Sequence, residues 1–254
     1  MILTIDIGNT NICVGAFEND KLKFCARMST DKQKLTDEYA IDLKDIFALY
    51  EQENKVEGAI LSSVVPALTP SVAQAIKIVF GVKPVIVGPG IKTGMNIKID
   101  NPAQLGSDII ADDLAAHTQY GGPLVVFDMG TATTISVVDS TGAILGGIIM
   151  PGVRLSLNAL SQTAAQLPEI GLDNPPEDII GTNTVDSMKA GILYGNASMV
   201  DGIIDRMEKR MGTALKVIAT GGLSGAIIPL CNHKIIHDPD LQLKGLYILY
   251  KKNV

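Results

Sequence analysis

A short turn motif occurs twice in this chain of 254 residues, each time between two apolar segments. The first copy starts at Asp6 and reads DIGNT, and the second starts at Asp128, 122 residues later, and reads DMGTATT. Apolar segments of this kind are typical of β-strands, and the glycine of each motif permits a tight turn between them. The chain is therefore expected to contain one strand–turn–strand unit twice, as after an internal duplication.

The segments around the two turns predict an α/β fold built from two similar lobes that face a cleft. Each half opens with three strand-like segments and continues with alternating helical and strand-like patterns. The predicted strands are 2–7, 11–17, 21–28, 57–64, 84–88, 124–128, 133–139, 143–149, 215–219 and 234–236, and the predicted helices are 36–51, 70–80, 103–119, 153–166, 183–211 and 240–252. The seam is expected near Gly121-Gly122-Pro123, which divides the chain into lobes 1–121 and 122–254.

The composition argues against several classes of partner. The net charge is −6 and no basic stripe occurs, and tryptophan is absent, so nucleic acid is an unexpected ligand. No apolar run is long enough to span a membrane, and the N-terminus opens directly into a strand without the features of a signal peptide. The three cysteines are widely spaced and are expected to be buried, reduced thiols. A cytoplasmic protein is predicted.

The turns themselves suggest a nucleotide site. Backbone N–H groups in a glycine turn and small hydroxyl side chains can cradle phosphate oxygens. A carboxylate beside a phosphate becomes useful when a hard cation such as Mg²⁺ lies between them. Two lobes with such turns could clamp a nucleoside triphosphate and its metal, and the segment ATGGLSG at 219–225 would let Gly221 and Gly222 approach a flat adenine or ribose group.

Other motifs are weaker. The segment GPGIKTG at 88–94 lacks the Lys-Ser/Thr pair of a phosphate-binding P-loop and is interpreted as an ordinary loop, and no dinucleotide-binding fingerprint follows a strand. The three histidines, His117, His233 and His237, are isolated, and structural or surface roles are expected for them.

The ordered set of motifs resembles the type III pantothenate kinases of the acetate and sugar kinase/heat-shock ATPase/actin superfamily. The resemblance covers nearly the whole chain and rests on DIGNTN at 6–11, SSVVP at 62–66, IVGPGIKTG at 86–94, DNPAQLGSD at 100–108, DMGTATT at 128–134, GGIIMPGVRLSLNAL at 146–160, IGTNT at 180–184, ATGG at 219–222 and LKGLYILYKKN at 243–253. It implies two ribonuclease H-like (actin-like ATPase) lobes, each a mixed five-stranded sheet with flanking helices.

The resemblance also implies an activity: ATP phosphorylates pantothenate to 4′-phosphopantothenate, the first committed step towards coenzyme A. It implies Mg²⁺, a monovalent cation (K⁺ or NH₄⁺) and a homodimer with the acceptor site near the interface. ATP phosphates are expected at Asp6, Gly8, Asn9, Thr10 and Asn11, a further ATP contact at Thr131, the monovalent cation at Asp128 and the adenosine near Gly221 and Gly222.

On the acceptor side, the resemblance assigns the general base to Asp108 and a pantothenate contact from the partner subunit to Thr184. The expected acceptor pocket also includes Ile99, Gly106, Ser107 and Ile109. From the residues alone, Asp108 is explained better as a first-turn carboxylate that the helix dipole stabilises, and only the resemblance favours the catalytic role. Asp112, one turn further along the same face, is expected to be a solvated or capping carboxylate.

Two positions depart from the family pattern, and both lie on the acceptor side. The pattern G-x-D-R ends here in Ile109, which cannot bind a carboxylate as a guanidinium could, and Ile99 stands where an aromatic residue is frequent. Three hypotheses follow: an active pantothenate kinase, a kinase for another small hydroxylated acceptor, and a nucleotide-binding paralogue with a regulatory role. The retained Asp108, Asp128 and Thr184 argue against the third, and the first is preferred.

Overall fold

The computed structural model describes residues 1–52, 55–173 and 175–254. The first half of the chain contains five strands and three helices, in the order β1 (Ile2–Ile7), β2 (Asn11–Glu18), β3 (Lys21–Ser29), α1 (Thr36–Leu49), β4 (Gly58–Ser63), α2 (Thr69–Phe80), β5 (Val85–Ile86) and α3 (Ser107–Tyr120). The second half continues with β6 (Leu124–Met129), β7 (Ala132–Val138), β8 (Ile144–Pro151), α4 (Val153–Thr163), α5 (Thr184–Met211), β9 (Lys216–Thr220), α6 (Ser224–Ile227), β10 (Ile235–His237) and α7 (Leu241–Asn253).

The strands form two five-stranded sheets with the same topology. The first has the order β3-β2-β1-β4-β5, in which β1 is antiparallel to β2 and parallel to β4. The second has the order β10-β9-β6-β7-β8, in which β6 is antiparallel to β7 and parallel to β9. Strand β6 therefore corresponds to β1 and β9 to β4, which confirms the predicted duplication.

The central strand of each sheet is buried, as expected where helices cover the sheet. In β1 every residue after Ile2 is buried, and in β6 only Asp128 is partly exposed. Strands that alternate with crossover helices are buried on both faces and therefore consist of continuous apolar runs. The aspartates of these two strands, Asp6 and Asp128, stand near their carboxyl ends, where the turns begin.

Contacts divide the chain into two compact units, Met1–Thr118 with Asp240–Val254, and Gln119–Pro239. The C-terminal helix α7 therefore departs from the predicted lobe 122–254, since it packs against β1, β2 and β4. Its buried face consists of Leu241, Leu243, Gly245, Leu246 and Leu249. A side chain at Gly245 would collide with the carbonyl group of Ala111 in α3, so this glycine allows α7 to lie directly against α3.

The helix predicted at 103–119 begins later than expected. A short 3₁₀ turn spans Pro102–Gln104, and α3 starts only after Gly106, so that Asp108 is its second residue. Proline at the start of the segment and glycine just before the helix account for this break, because neither favours a helix interior. None of the helices in the described parts of the chain is both long and apolar enough to cross a membrane.

Candidate functional site

The first turn is an exposed polar tip at the carboxyl end of β1. The amide of Gly8 donates to the carbonyl of Asn11 at 3.0 Å, and a Cβ at position 8 would lie 2.9 Å from that oxygen, so glycine is required there. Asn9, Thr10 and Asn11 are exposed, whereas Asp6 is only 5% exposed. Small polar groups on a fixed backbone are suited to binding phosphate oxygens.

Thr30, which sequence reasoning missed, holds this tip from the segment after β3. Its hydroxyl donates to the carbonyl of Gly8 at 2.7 Å, and its amide donates to the carbonyl of Thr10 at 2.9 Å. The tip is thereby fixed from both sides of the turn. No motif marks Thr30 in the sequence, because its role depends on the hairpin register that brings Ser29 opposite Asn11.

The same edge of the first sheet carries Asp108. Ser62, near the end of β4, is paired in register with Asp6, and its hydroxyl oxygen lies 2.9 Å from that of Ser107. Asp108 follows Ser107 in the first turn of α3, and its Oδ1 accepts a hydrogen bond from the amide of Ile109 at 2.9 Å. The structure thus places Asp6, Ser62, Ser107 and Asp108 in one connected group, although Ser62 had been noticed only as part of the SSVVP motif.

The remaining residues predicted for the acceptor pocket are only partly explained. Ile99 and Ile109 are both half-buried. A side chain at Gly106 would meet Oδ1 of Asp108, so glycine leaves that carboxylate room. Asp112 corrects an expectation: it is only 2% exposed rather than solvated, because its face of α3 turns into the protein.

The second turn, in the other unit, has a matching arrangement. Asp128 is in register with Thr134 on one side and with Thr220 on the other. Thr131 is exposed at the tip, and its carbonyl accepts a hydrogen bond from the amide of Gly152 at 3.2 Å. Gly221 has a φ of +91°, and a Cβ there would lie 2.5 Å from the amide nitrogen of Met129 and 2.6 Å from Oδ1 of Asp128.

The Gly221-Gly222 loop is fixed by a side chain that sequence reasoning did not single out. The Ser224 hydroxyl, fully buried, donates to the carbonyl of Gly221 at 2.7 Å and lies 3.0 Å from Nε2 of His237. His237 thus has a structural contact, as expected for the histidines, and so has His233, whose Nε2 lies 2.9 Å from Asp205. Within this loop, Gly222 is exposed.

Thr184 is the first residue of α5 and lies at the rim of a cavity of about 770 Å³ within the second unit. The side chain of Asn183 caps the helix by accepting from the amide of Asp186 at 2.9 Å. The walls combine polar and apolar groups: Leu160, Leu167, Gly181, Thr182, Asn183, Thr184, Ser187, Met188, Gly191 and Ile192. Such a mixture suits a small ligand with both apolar and polar parts.

The donor groups at the two turns fit hard cations. They are the carboxylates of Asp6 and Asp128 together with hydroxyl, amide and backbone oxygens, which are the ligands that Mg²⁺ and K⁺ take.

The cysteines are free but half-buried rather than fully buried. Burial, followed by the negative charge of Asp6, raises the pKa of the Cys13 thiol to about 11, so this sulfur is a poor nucleophile near neutral pH.

Comparison with known proteins places this geometry in a family. The family model for type III pantothenate kinase matches residues 2–206. A type III pantothenate kinase from Moorella thermoacetica is 44% identical over 255 residues, which cover 100% of each chain. Another from Geobacillus sp. (strain WCH70) is 45% identical over 255 residues, covering 100% of this chain and 98% of that protein.

A solved structure supports the fold. The activator of 2-hydroxyisocaproyl-CoA dehydratase from Clostridium difficile, with bound ADPNP, aligns with a TM-score of 0.56 at 12% identity, over 99% of this chain and 95% of that chain. At this identity the likeness concerns the fold alone, and it agrees with the predicted duplicated ribonuclease H-like (actin-like ATPase) class. Since a family model matches most of its length and relatives are 44–45% identical from end to end, the chain belongs to the type III pantothenate kinase family.

Proposed function

We propose that this protein transfers the γ-phosphoryl group of ATP to the hydroxyl of pantothenate, giving 4′-phosphopantothenate and ADP, at the start of coenzyme A synthesis. The observation that carries the proposal is the end-to-end similarity to proteins named type III pantothenate kinase. The polar edge with Asp6 and Asp108 supports it from the geometry. Phosphoryl transfer asks a protein mainly for positioning and for neutralisation of charge, and both turns offer groups of that kind.

In this proposal the first turn binds the phosphates of ATP. Asn9, Thr10 and Asn11 supply donors, Gly8 gives the turn its tight shape beside the phosphates, and Thr30 keeps the tip rigid. In the second unit Thr131 supplies a further contact to ATP. Gly221 and Gly222 approach the adenosine, held in place by Ser224.

Asp108 is proposed as the general base. Its carboxylate takes the proton of the pantothenate hydroxyl as that oxygen attacks the γ-phosphorus, and the bond from phosphorus to the β,γ-bridging oxygen breaks, so that ADP leaves. The position near the start of α3 is consistent with this role, because Asp108 follows Ser107, whose hydroxyl meets that of Ser62 beside Asp6 in the sheet. Ile99, Gly106, Ser107 and Ile109 would line the acceptor side.

Two cations complete the proposal. Asp6 would hold the Mg²⁺ that accompanies ATP, and Asp128 would hold K⁺ or NH₄⁺. When bound, these ions neutralise the negative charge that develops on the transferring phosphoryl group. The choice of monovalent cation rests on the family resemblance.

We also propose a homodimer in which Thr184 of one protomer contacts pantothenate bound to the other. Support comes from large apolar side chains that are exposed in residues 148–185 of the second unit. These are Ile148, Ile149, Leu155, Leu160, Ile179, Ile180 and Val185. Large apolar side chains left exposed in one part of the chain are typical of surfaces that a partner covers. A cytoplasmic location stays part of the proposal, since ATP is the phosphoryl donor.

The kinase reading is preferred over an altered acceptor or a regulatory paralogue, both raised by Ile109. The relatives named as pantothenate kinases match the chain over its entire length, and the proposed base Asp108 is present. If the missing guanidinium matters, its effect should be confined to the binding of pantothenate. Ile109→Arg should then lower the KM for pantothenate and leave the KM for ATP unchanged.

A coupled ADP-release assay with Mg-ATP and pantothenate, in K⁺ or in Na⁺, tests the function. We expect turnover that requires pantothenate and K⁺, and a loss of about 100-fold or more in kcat for Asp108→Asn with ATP binding retained. Asp108→Asn is matched in shape and removes only the basic oxygen. ATP binding without any pantothenate-dependent turnover in the unmodified protein would refute the kinase.

A further inference from the structure

The hydroxyl of Ser62 occupies an unusual place for a polar group. Ser62 is fully buried near the carboxyl end of β4, next to Asp6 in the sheet. Its oxygen lies 2.9 Å from the hydroxyl oxygen of Ser107, which is 45 residues further along the chain. This hydrogen bond joins the end of the sheet that carries the phosphate-binding turn to the first turn of the helix that carries Asp108.

We propose that Ser62 and Ser107 are positioning residues for phosphoryl transfer, because their hydrogen bond fixes the first turn of α3 and with it the Asp108 carboxylate. The inference rests on the proposed kinase function, in which Asp108 is the base. Ser62 needs to touch neither ATP nor pantothenate and therefore carries the test, whereas Ser107 also lines the proposed acceptor side. Their effect is transmitted through the backbone from Ser107 to Asp108.

The local backbone explains why such an anchor matters. Gly106, just before α3, contributes no packing side chain, and Leu105 before it is in an extended conformation. Within the turn, the amide of Ile110 donates to the carbonyl of Gly106 at 3.2 Å. The Asp108 carboxylate accepts a hydrogen bond from the amide of its neighbour Ile109. These bonds define the shape of the turn. Ile110 packs in one apolar cluster with Ile60 of β4 and holds the helix against the sheet, and the Ser62–Ser107 bond adds the polar contact at the end that carries Asp108.

A small displacement of the base has a large kinetic effect. Misplacing a catalytic group by about 1 Å can cost on the order of 100-fold in rate. Loss of the Ser62–Ser107 contact would release the turn without removing any group that binds nucleotide. The expected signature is therefore a lower kcat with an unchanged KM for ATP.

The test compares Ser62→Ala, Ser107→Ala and the double variant in the ADP-release assay. We expect each single variant to lose about tenfold in kcat. The double variant should lose no more than the more impaired of the two single variants, because all three lack the same hydrogen bond. Ser107→Thr keeps the hydroxyl and should restore most of kcat. If the contact served only to stabilise the fold, kcat would not fall in the alanine variants and recover in Ser107→Thr.

Thr4→Val is the matched control. Thr4 is a fully buried residue of β1 in the same sheet, and its hydroxyl donates to the carbonyl of Gly15 at 3.2 Å. The substitution removes one buried hydrogen bond from the same sheet but leaves α3 untouched. Its kcat should equal that of the unmodified protein.

A second readout does not depend on turnover. The amides of Ile109 and Ile110 donate to Oδ1 of Asp108 and to the carbonyl of Gly106. Their hydrogen exchange should be about tenfold faster in Ser62→Ala than in Thr4→Val, because the first turn of α3 opens more often. Equal exchange in the two variants, or kcat losses in the serine variants no larger than in Thr4→Val, would overturn the inference. If the unmodified protein does not phosphorylate pantothenate, the proposed function fails by itself, and the exchange comparison still decides whether the contact anchors the turn.

Discussion

At the scale of single residues, Gly221 packs tightly against the second turn. Its φ of +91° already disfavours any other residue, and a Cβ would lie 2.5 Å from the amide nitrogen of Met129. Because the opposing atoms are backbone and the Asp128 carboxylate, the loop rather than a flexible side chain must move. We therefore expect Gly221→Ala to weaken ATP binding by about tenfold or more, measured by calorimetry.

Gly212→Ala separates the effect of the clash from that of the backbone angle. Gly212 has a φ of +69° at the end of α5, and no described atom lies within 4 Å of a Cβ at that position. Both variants pay a left-handed backbone cost of about 1 kcal/mol, but only Gly221→Ala also disturbs Asp128. Equal ATP affinities in the two variants would contradict the role given to Gly221.

The turn residues could be predicted from the sequence, whereas the side chains that hold them could not. Aspartate and glycine at a strand end are visible as a local motif with a local reason. Thr30, Ser62 and Ser224 act on residues that are close only after the sheets have formed. Asp112 was misjudged for the same reason, since helical spacing alone does not reveal which face of α3 is buried.

At the scale of elements, a tyrosine–aspartate pair joins the two ends of the second unit. The Tyr120 hydroxyl donates to Oδ2 of Asp238 at 2.8 Å, across 118 residues of sequence, and Asp238 is only 3% exposed. Burial, and then the hydrogen bond and negative charge of Asp238, raise the pKa of Tyr120 to about 12. At neutral pH, Tyr120→Phe should lower the free energy of unfolding by about 1–2 kcal/mol.

This contribution should disappear in strong alkali. An unfolded tyrosine titrates near pH 10, so between about pH 10 and about pH 12 the folded protein holds a proton that the unfolded chain has lost. The stabilisation is complete below that window and falls as the pH rises through it. Urea unfolding of both proteins at about pH 8 and about pH 11 measures the difference, in which all other titrating groups cancel. A difference that stays constant with pH would contradict the assignment.

Strands and helices were predictable because their patterns are local. All ten predicted strands exist with ends shifted by a few residues at most, since each alternates or runs apolar between turn residues. The placement of α7 was not predictable in this way. Its leucines indicate only that one face is buried. They do not reveal that α7 packs on the first sheet, or that Gly245 lies against the backbone of Ala111 in α3.

At the scale of the whole molecule, the repeated turn motif predicts the internal duplication. The surface of the proposed homodimer carries no sequence motif and could not be predicted in this way. The exposed apolar side chains between residues 148 and 185 belong to β8, α4, the segment before α5 and the first turn of α5. Strand β8 is also an edge of its sheet. Exposed edges and apolar patches are the features that proteins cover by association.

Ile149→Asp tests whether this surface forms the proposed homodimer. Ile149 is 75% exposed, so the substitution should leave the fold of a protomer intact but bury a charge in the dimer interface. Light scattering should give the mass of one chain instead of two, and pantothenate turnover should fall by at least about tenfold because Thr184 of the partner is lost, while ATP still binds. Ile41→Asp, at a 59% exposed position on α1, should keep both the dimer mass and the turnover. An unmodified protein that is monomeric yet fully active would refute the shared acceptor site.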